Sequence, residues 1–568
     1  MTGPVTGPVT GPVTGAEAAV EALRREGVNH VFGLPGTTIM HLIDALGREP
    51  SIRYVSVRHE QVAAFMADGY SRAGGGLGVC MASRGPGAAN LSIGVHNAHA
   101  ESVSVLALVG QVGDGIAYRE AFEEMDLVRF FEPITKWQVE VHAAERVPEL
   151  LQRAVRTAVS GRPGAVLVSL PQDVQTHPVD VAFQSRFRPS PPAPDPGDVE
   201  AAVRRLASAE RPVVVAGGGM LGAEHDSHLL EFVDRLQIPV VTSWQRKDVF
   251  PNDSRLFAGS LGYGAPPVTD ELVRDADVVL ALGCRFSEFA TKRWTLLSAD
   301  TALIHVDVDP GVLGHVYVPA IGICADAHAT AQALLAALDA APGGPHHDAR
   351  TERRRDRAEA VRRRYREQTR LPDVPSSQNA VSSAGLVEAL RHVLARSGAL
   401  LVQDAAGFGT WIQRYLDFTA PATFYAASGG SMGWGLPAAM GIQLARPRDR
   451  IIAVCGDGSF WMVAQDLETA VRENLPVVNV ITNNFSYGNT RDRQRTAHAG
   501  RYVGVFYDNP DFAEYARLLG AHGERVEKDG ELVPAIERAL ASGLPAVVDV
   551  IQDVHEGLPP DLVPPAAQ

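Results

Sequence analysis

Short β-branched runs alternating with longer amphipathic patterns constrain this chain more than any other feature. Tyr54-Val55-Ser56-Val57, Val103 to Leu108 and Ala165 to Val168 are each too brief for a helix, and each lies between helical patterns. Parallel strands need a crossover, and helices of this spacing supply it, so the alternation predicts a parallel sheet covered by helices. It recurs in three blocks, at 16–182, 198–340 and 381–555. The second has strands near Val213 to Ala216, Val240 to Thr242, Val278 to Leu282 and Leu303 to Val306. The run from Arg188 to Pro196, with five prolines, separates the first two blocks, because proline fixes φ and removes a donor. A chain of 568 residues exceeds what one hydrophobic core supports. The expected fold class is therefore α/β, with three doubly wound parallel-sheet domains.

The remaining segments read as connections. Residues 1–15 carry three copies of Thr-Gly-Pro-Val and are expected to be a flexible tail, with no signal-peptide pattern. Residues 341–380 are a linker, within which Arg350 to Arg370 interleaves Arg and Glu at helical spacing, as a solvated connecting helix would. Residues 556–568 form a C-terminal tail. A net charge of −14 disfavours nucleic acid and anionic lipid, no apolar run reaches about 18 residues, and small molecules are the expected partners. The four cysteines, Cys80, Cys284, Cys324 and Cys455, form no CxxC pair, which fits a reducing cytoplasm.

The third block holds the most specific chemistry. The apolar strand Ile451 to Cys455 runs into Gly456-Asp457-Gly458-Ser459, a helix is predicted from Trp461 to Arg472, and the strand Val477 to Thr482 ends in Asn483-Asn484. In a parallel sheet both loops emerge at the carboxyl edge, so Asp457 and Asn484 can face each other. Their hard oxygens suit Mg²⁺ when a diphosphate completes its shell, and the glycines let backbone N–H groups approach phosphate.

The two motifs, 27 residues apart across a strand-helix-strand unit, resemble the signature of the thiamine-diphosphate enzymes of the acetolactate synthase and 2-keto acid decarboxylase superfamily. The resemblance implies thiamine diphosphate and Mg²⁺ as cofactors, with Asp457, Asn484 and the Ser486 carbonyl as metal ligands and Gly456, Gly458 and Ser459 at the diphosphate. It places Gly407 and Phe408 beneath the diphosphate, where Ala406-Gly407-Phe408-Gly409 departs from the family's Gly-Gln-His-Gln. Gly430 would face the aminopyrimidine, and Met432 would wedge the cofactor into its bent form.

Arg58-His59-Glu60-Gln61, after the strand Tyr54 to Val57, resembles the family's activating motif and makes Glu60 the acid that protonates the cofactor's N1′. Pro35, within Gly33-Leu34-Pro35-Gly36, and Asn90, after Gly85-Pro86-Gly87, are cofactor-binding candidates in the same block. In the family these loops come from a partner subunit, which implies a homo-oligomer with its active site at a dimer interface.

Other positions depart from the family. Thr37, Phe122, Glu123, Asn489 and Arg493 are the candidate substrate residues, and Glu123 is a candidate proton relay. The middle block resembles the family's nucleotide fold, which holds FAD, ADP or nothing. Here Trp244-Gln245-Arg246 and Ser287-Glu288-Phe289 place larger side chains where a flavin would lie. The implied activity is a carboligase that decarboxylates a pyruvate-like 2-keto acid and passes the acyl carbanion to a second carbonyl. A simple decarboxylase, a flavin oxidase and an inactive paralogue remain open alternatives.

Overall fold

The computed structural model describes residues 12–340, 349–373, 380–405, 407–559 and 562. Residues up to Pro189 together with Met440–Pro447 form one compact unit, and Ser190–Ala439 with the chain from Arg448 onward forms another. The first contains one large sheet and the second contains two.

In the first unit, β1 (His30–Gly33), β2 (Arg53–Ser56), β3 (Gly78–Ala82), β4 (Val105–Gln111), β5 (Trp137–Glu140) and β6 (Ala165–Pro171) are wound in the order β2-β1-β3-β4-β6-β5, all parallel. Every residue of β3, β4 and β6 is buried, which is why these runs are continuously apolar rather than alternating. The helices Gly15–Arg25 and Val147–Val159 lay Leu23, Leu151 and Val155 into the core. Two further helices, Glu60–Tyr70 and Pro86–Ala100, pack closely enough that a Cβ at Gly94 would lie 2.3 Å from that of Ala64. That contact fixes the two helix starts relative to each other.

The second unit begins with β7 (Pro212–Ala216), β8 (Val240–Thr242), β9 (Phe257–Ser260), β10 (Val278–Leu282), β11 (Ala302–Asp307) and β12 (Ile321–Cys324), in the dinucleotide-fold order β9-β8-β7-β10-β11-β12. Its third sheet comprises β13 (Leu400–Gln403), β14 (Phe424–Ala426), β15 (Ile451–Gly456), β16 (Val478–Asn483), β17 (His522–Val526) and β18 (Ala546–Ile551), ordered β14-β13-β15-β16-β18-β17. The buried Lys247 joins the two sheets' domains, its Nζ donating to the carbonyls of Gln413 (2.9 Å) and Leu416.

Several boundaries differ from expectation. Residues 1–11 lie outside the described residues, but Val13–Thr14, which includes the last residue of the third repeat, pairs with Pro178–Val179 and Thr14 caps the first helix, so the end of the expected tail is structured. The connecting helix, Ala349–Gln368, is not solvated all round. Arg354, Ala358 and Tyr365 are buried, and Arg354 donates to the carbonyls of Leu206 (2.7 Å) and Leu236 (3.2 Å). The expected helix from Trp461 to Arg472 is broken into a turn of α-helix at Asp457–Trp461, a short Ala464–Asp466 segment and Leu467–Arg472. All four cysteines are free thiols. No helix among the described residues is long and apolar enough to cross a membrane.

Candidate functional site

In the second unit, the loops after β13, β15 and β16 open into a cleft of about 120 Å³, lined by Gly407, Met432, Asp457, Asn484 and Asn489 among others. Asp457 sits at the end of β15 and is 2% exposed. Its Oδ1 accepts hydrogen bonds from the Gly458 N–H (2.9 Å) and the Tyr507 hydroxyl (3.0 Å), and its Oδ2 accepts one from Asn509 Nδ2 (2.9 Å). The Phe485 backbone N–H also acts on the charged carboxylate. None of these partners is a cation, and burial pushes the carboxyl above the ordinary aspartate range.

The neighbouring turn completes an oxygen-rich wall. Asn484 Oδ1 accepts from the Ser486 N–H and hydroxyl, both at 3.2 Å, and the Ser486 hydroxyl accepts from Arg491 (3.1 Å). Gly458 admits no side chain, since a Cβ there would lie 2.6 Å from the Tyr487 ring and 2.8 Å from the Tyr507 hydroxyl. Across the cleft Asp404 holds the glycine loop in place, accepting from the N–H groups of Gly433 (3.2 Å) and Gly435 (2.9 Å). Burial raises its carboxyl to about 6. Gly430 and Gly433 have φ of 75° and 84°, the left-handed conformation that turns the loop and leaves Met432 half-buried against the cleft.

Other third-block candidates are placed less uniformly. Gly456, Gly458 and Ser459 line the cleft, as do Gly407 and Phe408, although Phe408 puts its ring into the core; Ala406 lies outside the described residues. Asn489 is exposed at the mouth, its Oδ1 3.2 Å from a Cβ built on Gly407. Arg493, one turn further along the helix Gly488–Ala497, is exposed and does not line the cleft.

In the first unit, Glu60 is the first residue of its helix and is 7% exposed, with the His59 ring accepting from the Gln61 N–H as cap. Its Oε2 accepts from Asn90 Nδ2 (2.9 Å), while Oε1 has no hydrogen-bond partner among the described residues. A Cβ on Gly87 would lie 3.1 Å from Oε1, so the glycine keeps that oxygen accessible. A buried carboxyl held by one oxygen and open at the other is suited to proton exchange with a ring nitrogen. Pro35 and Thr37 are exposed nearby, whereas Thr38 is buried and bonds the Ser83 hydroxyl at 2.7 Å. Phe122 is exposed, and Glu123, with φ 59°, approaches Arg84.

Family models described as the thiamine pyrophosphate enzyme N-terminal TPP binding domain, central domain and C-terminal TPP binding domain match residues 13–130, 199–334 and 404–550. The chain is 32% identical, over 97% of its length, to the probable acetolactate synthase large subunit of Methanocaldococcus jannaschii, covering 94% of that protein. The chain belongs to the thiamine pyrophosphate enzymes. Within this family it is also 32% identical to the acetolactate synthase isozyme 2 large subunit of Escherichia coli K12, across 96% of this chain and 97% of that one. With an acetolactate synthase of Mycobacterium bovis it shares 33% identity, across 94% and 87%.

Three features of this thiamine pyrophosphate enzyme escaped the sequence. Tyr507 and Asn509 reach Asp457 from a loop set by an isolated bridge between Ser486 and Phe506, which no local spacing marks. Arg491 is 1% exposed and donates to Asp492 (3.0 Å), to the Glu556 carbonyl (2.8 Å) and to that of Val554. The expected C-terminal tail is consequently tied down at its start. Glu556, Gly557 and Leu558 line the cleft, and Trp411 Nε1 donates to the Gly557 carbonyl (2.8 Å).

Proposed function

We propose that this chain is a carboligase of acetolactate synthase type, decarboxylating a pyruvate-like 2-keto acid and joining the acyl group to a second carbonyl. Thiamine diphosphate, when bound, supplies the carbanion that attacks the donor and carries its acyl group. Glu60 exchanges a proton with the cofactor's N1′ through its uncommitted Oε1, and Asn90 holds the carboxyl in that orientation. The observation that carries this reading is that the chain holds both a buried carboxyl with one oxygen uncommitted, at Glu60, and a buried carboxylate whose hydrogen-bond partners include no cationic side chain, at Asp457.

Mg²⁺ fits that cradle. Asp457 and Asn484 would hold it by side-chain oxygens and Ser486 by its carbonyl, and the cation would offset the cost of burying the Asp457 charge. Gly456, Gly458 and Ser459, with the Gly407 and Phe408 backbone, would receive the diphosphate, and Gly430 and Met432 would seat the pyrimidine and wedge the bend. Pro35 would approach the cofactor from the first block. Thr37, Phe122 and Asn489 would shape the substrate entrance with Arg493 at its rim, and Glu123 would relay a proton at the reacting end.

FAD has no place in this reading. At the positions where the resemblance puts the flavin ring, Trp244 is already stacked on Phe289, with centroids 4.7 Å apart and planes at 19°. Between β7 and β10, a Cβ on Gly217 would lie 2.2 Å from the Gly283 carbonyl oxygen. The purified protein should be colourless above 400 nm. We assign the active species to a cytoplasmic homo-oligomer in which Glu60 of one copy serves the clamp of another. Mixing inactive Glu60→Gln and Asp457→Ala chains should then restore activity, and failure to do so under subunit exchange would contradict the assignment. Incubation with pyruvate and mass-spectrometric analysis tests the activity itself. A hydroxy-keto acid is expected, and acetaldehyde as sole product would refute ligation.

A further inference from the structure

The carboxyl edge of the first sheet gathers a second charged group beside Glu60. Arg84 follows β3 in Ser83-Arg84-Gly85 and is only 9% exposed. Its backbone is fixed by the buried Thr38, whose hydroxyl accepts from the Arg84 N–H (3.3 Å) and bonds the Ser83 hydroxyl (2.7 Å). The same loop is contiguous with Glu60. The Ser83 Cβ lies 3.5 Å from a Cβ built on Gly87, and that position is 3.1 Å from Glu60 Oε1.

The Arg84 side chain is incompletely satisfied. Its Nε donates to the Phe122 carbonyl (2.7 Å) and lies 4.0 Å from Glu123 Oε2, at the outer limit of an ion pair. Its two terminal amines have no hydrogen-bond partner among the described residues. In the enclosed Arg491 all three nitrogens donate within the protein, whereas the Arg84 terminal amines are not among the buried unpartnered atoms and stay open to solvent, where an anion can reach them. The facing loop is held by unusual backbone: Tyr118, Glu120 and Glu123 have φ of 62°, 56° and 59°, conformations that non-glycine residues rarely adopt. Gly85 is required opposite it, since a Cβ there would lie 2.6 Å from the Glu123 carbonyl oxygen.

We infer that Arg84 recognises the carboxylate of the acceptor 2-keto acid, an assignment that rests on the carboligase reading above. In that reaction the donor loses its carboxylate as CO₂, and its acyl carbon forms one C–C bond to the acceptor's carbonyl carbon. The acceptor oxygen takes one proton, and the acceptor's carboxylate is retained in the product. A fixed cation on the donor carboxylate would stabilise the ground state more than the transition state, because that charge disperses as CO₂ leaves. On the acceptor the charge persists throughout, and the planar fork of an arginine matches it.

The test uses the full-length holoenzyme with pyruvate as donor, isotopically labelled acetaldehyde as a neutral competing acceptor, and mass-spectrometric product detection alongside CO₂ release. Arg84→Gln should leave single-turnover CO₂ release within about threefold. It should lower acetolactate relative to labelled acetoin by about tenfold to a hundredfold, the loss expected for a charge-assisted bond. Arg84→Lys, which keeps the charge without the fork, should fall between, and it carries the test where the Gln variant fails to fold. An unchanged product ratio, or CO₂ release falling in step with both products, would overturn the assignment. A wild-type enzyme that releases no CO₂ from any 2-keto acid, or yields aldehyde alone, would instead overturn the carboligase reading and this assignment with it.

Discussion

The first and third sheets are wound alike, β2-β1-β3-β4-β6-β5 against β14-β13-β15-β16-β18-β17, yet the loops at their carboxyl edges carry different chemistry. After the first and third strands of its sheet the third domain places Asp404 and Asp457, both buried, accepting backbone and side-chain hydrogen bonds without a cation. In the first domain the corresponding loops carry Gly36 and Arg84, and the loop after its second strand carries Glu60 paired with Asn90. One winding therefore carries two different sets of side chains at equivalent places: one is the anionic cradle proposed above for a cation, and the other is the mixed acid and guanidinium edge proposed above to exchange a proton and read an anion.

That contrast can be broken from either side. The largest effect is expected at the third domain, where Asp457→Ala removes the cradle's buried carboxylate. Turnover should fall at least about a thousandfold, and calorimetry should find that Mg²⁺ no longer promotes thiamine diphosphate binding. Retained Mg²⁺ dependence would move the metal elsewhere. In the first domain, Asn90→Ala should cost about tenfold in kcat with cofactor affinity preserved, as loss of one charge-assisted bond predicts. Asn90→Asp sharpens this, because a second carboxylate at 2.9 Å from Glu60 should move the acid limb of the pH–rate profile upward.

A smaller effect separates the two edges by pH. Burial raises Asp404 from 3.8 to about 6, so the folded protein binds more protons than the unfolded chain between those values. Its contribution to stability must then decline as pH rises through that window, by up to about 3 kcal/mol. Denaturant midpoints from pH 4 to 7 should decline more steeply in wild type than in Asp404→Ala, which keeps the contributions of Asp248 and Asp549, carboxyls that burial also raises to about 6. Parallel curves would refute the assignment of the slope to Asp404.

Much of this was legible in the sequence because parallel strands buried on both faces are written as unbroken apolar runs, and because Asp457 and Asn484 sit directly at strand ends. Glu60 was legible for the same reason, as the first residue of a helix after β2. What was not legible depends on contacts distant along the chain. Tyr507 and Asn509 reach Asp457 across 50 and 52 residues, and Arg491 holds the Glu556 carbonyl across 65. The connecting helix failed differently. Its charge pattern hides a buried face because Arg354 satisfies carbonyls rather than meeting solvent.

The central claim is that Glu60 activates the cofactor, and hydrogen–deuterium exchange at thiazolium C2 of bound thiamine diphosphate, followed by NMR after acid quench, tests it most directly. Glu60→Gln should slow exchange by at least about a hundredfold, the contribution of a positioned acid-base group, while the cofactor's dissociation constant changes by less than about tenfold. Exchange at the wild-type rate in the Glu60→Gln enzyme, with cofactor bound, would contradict the account.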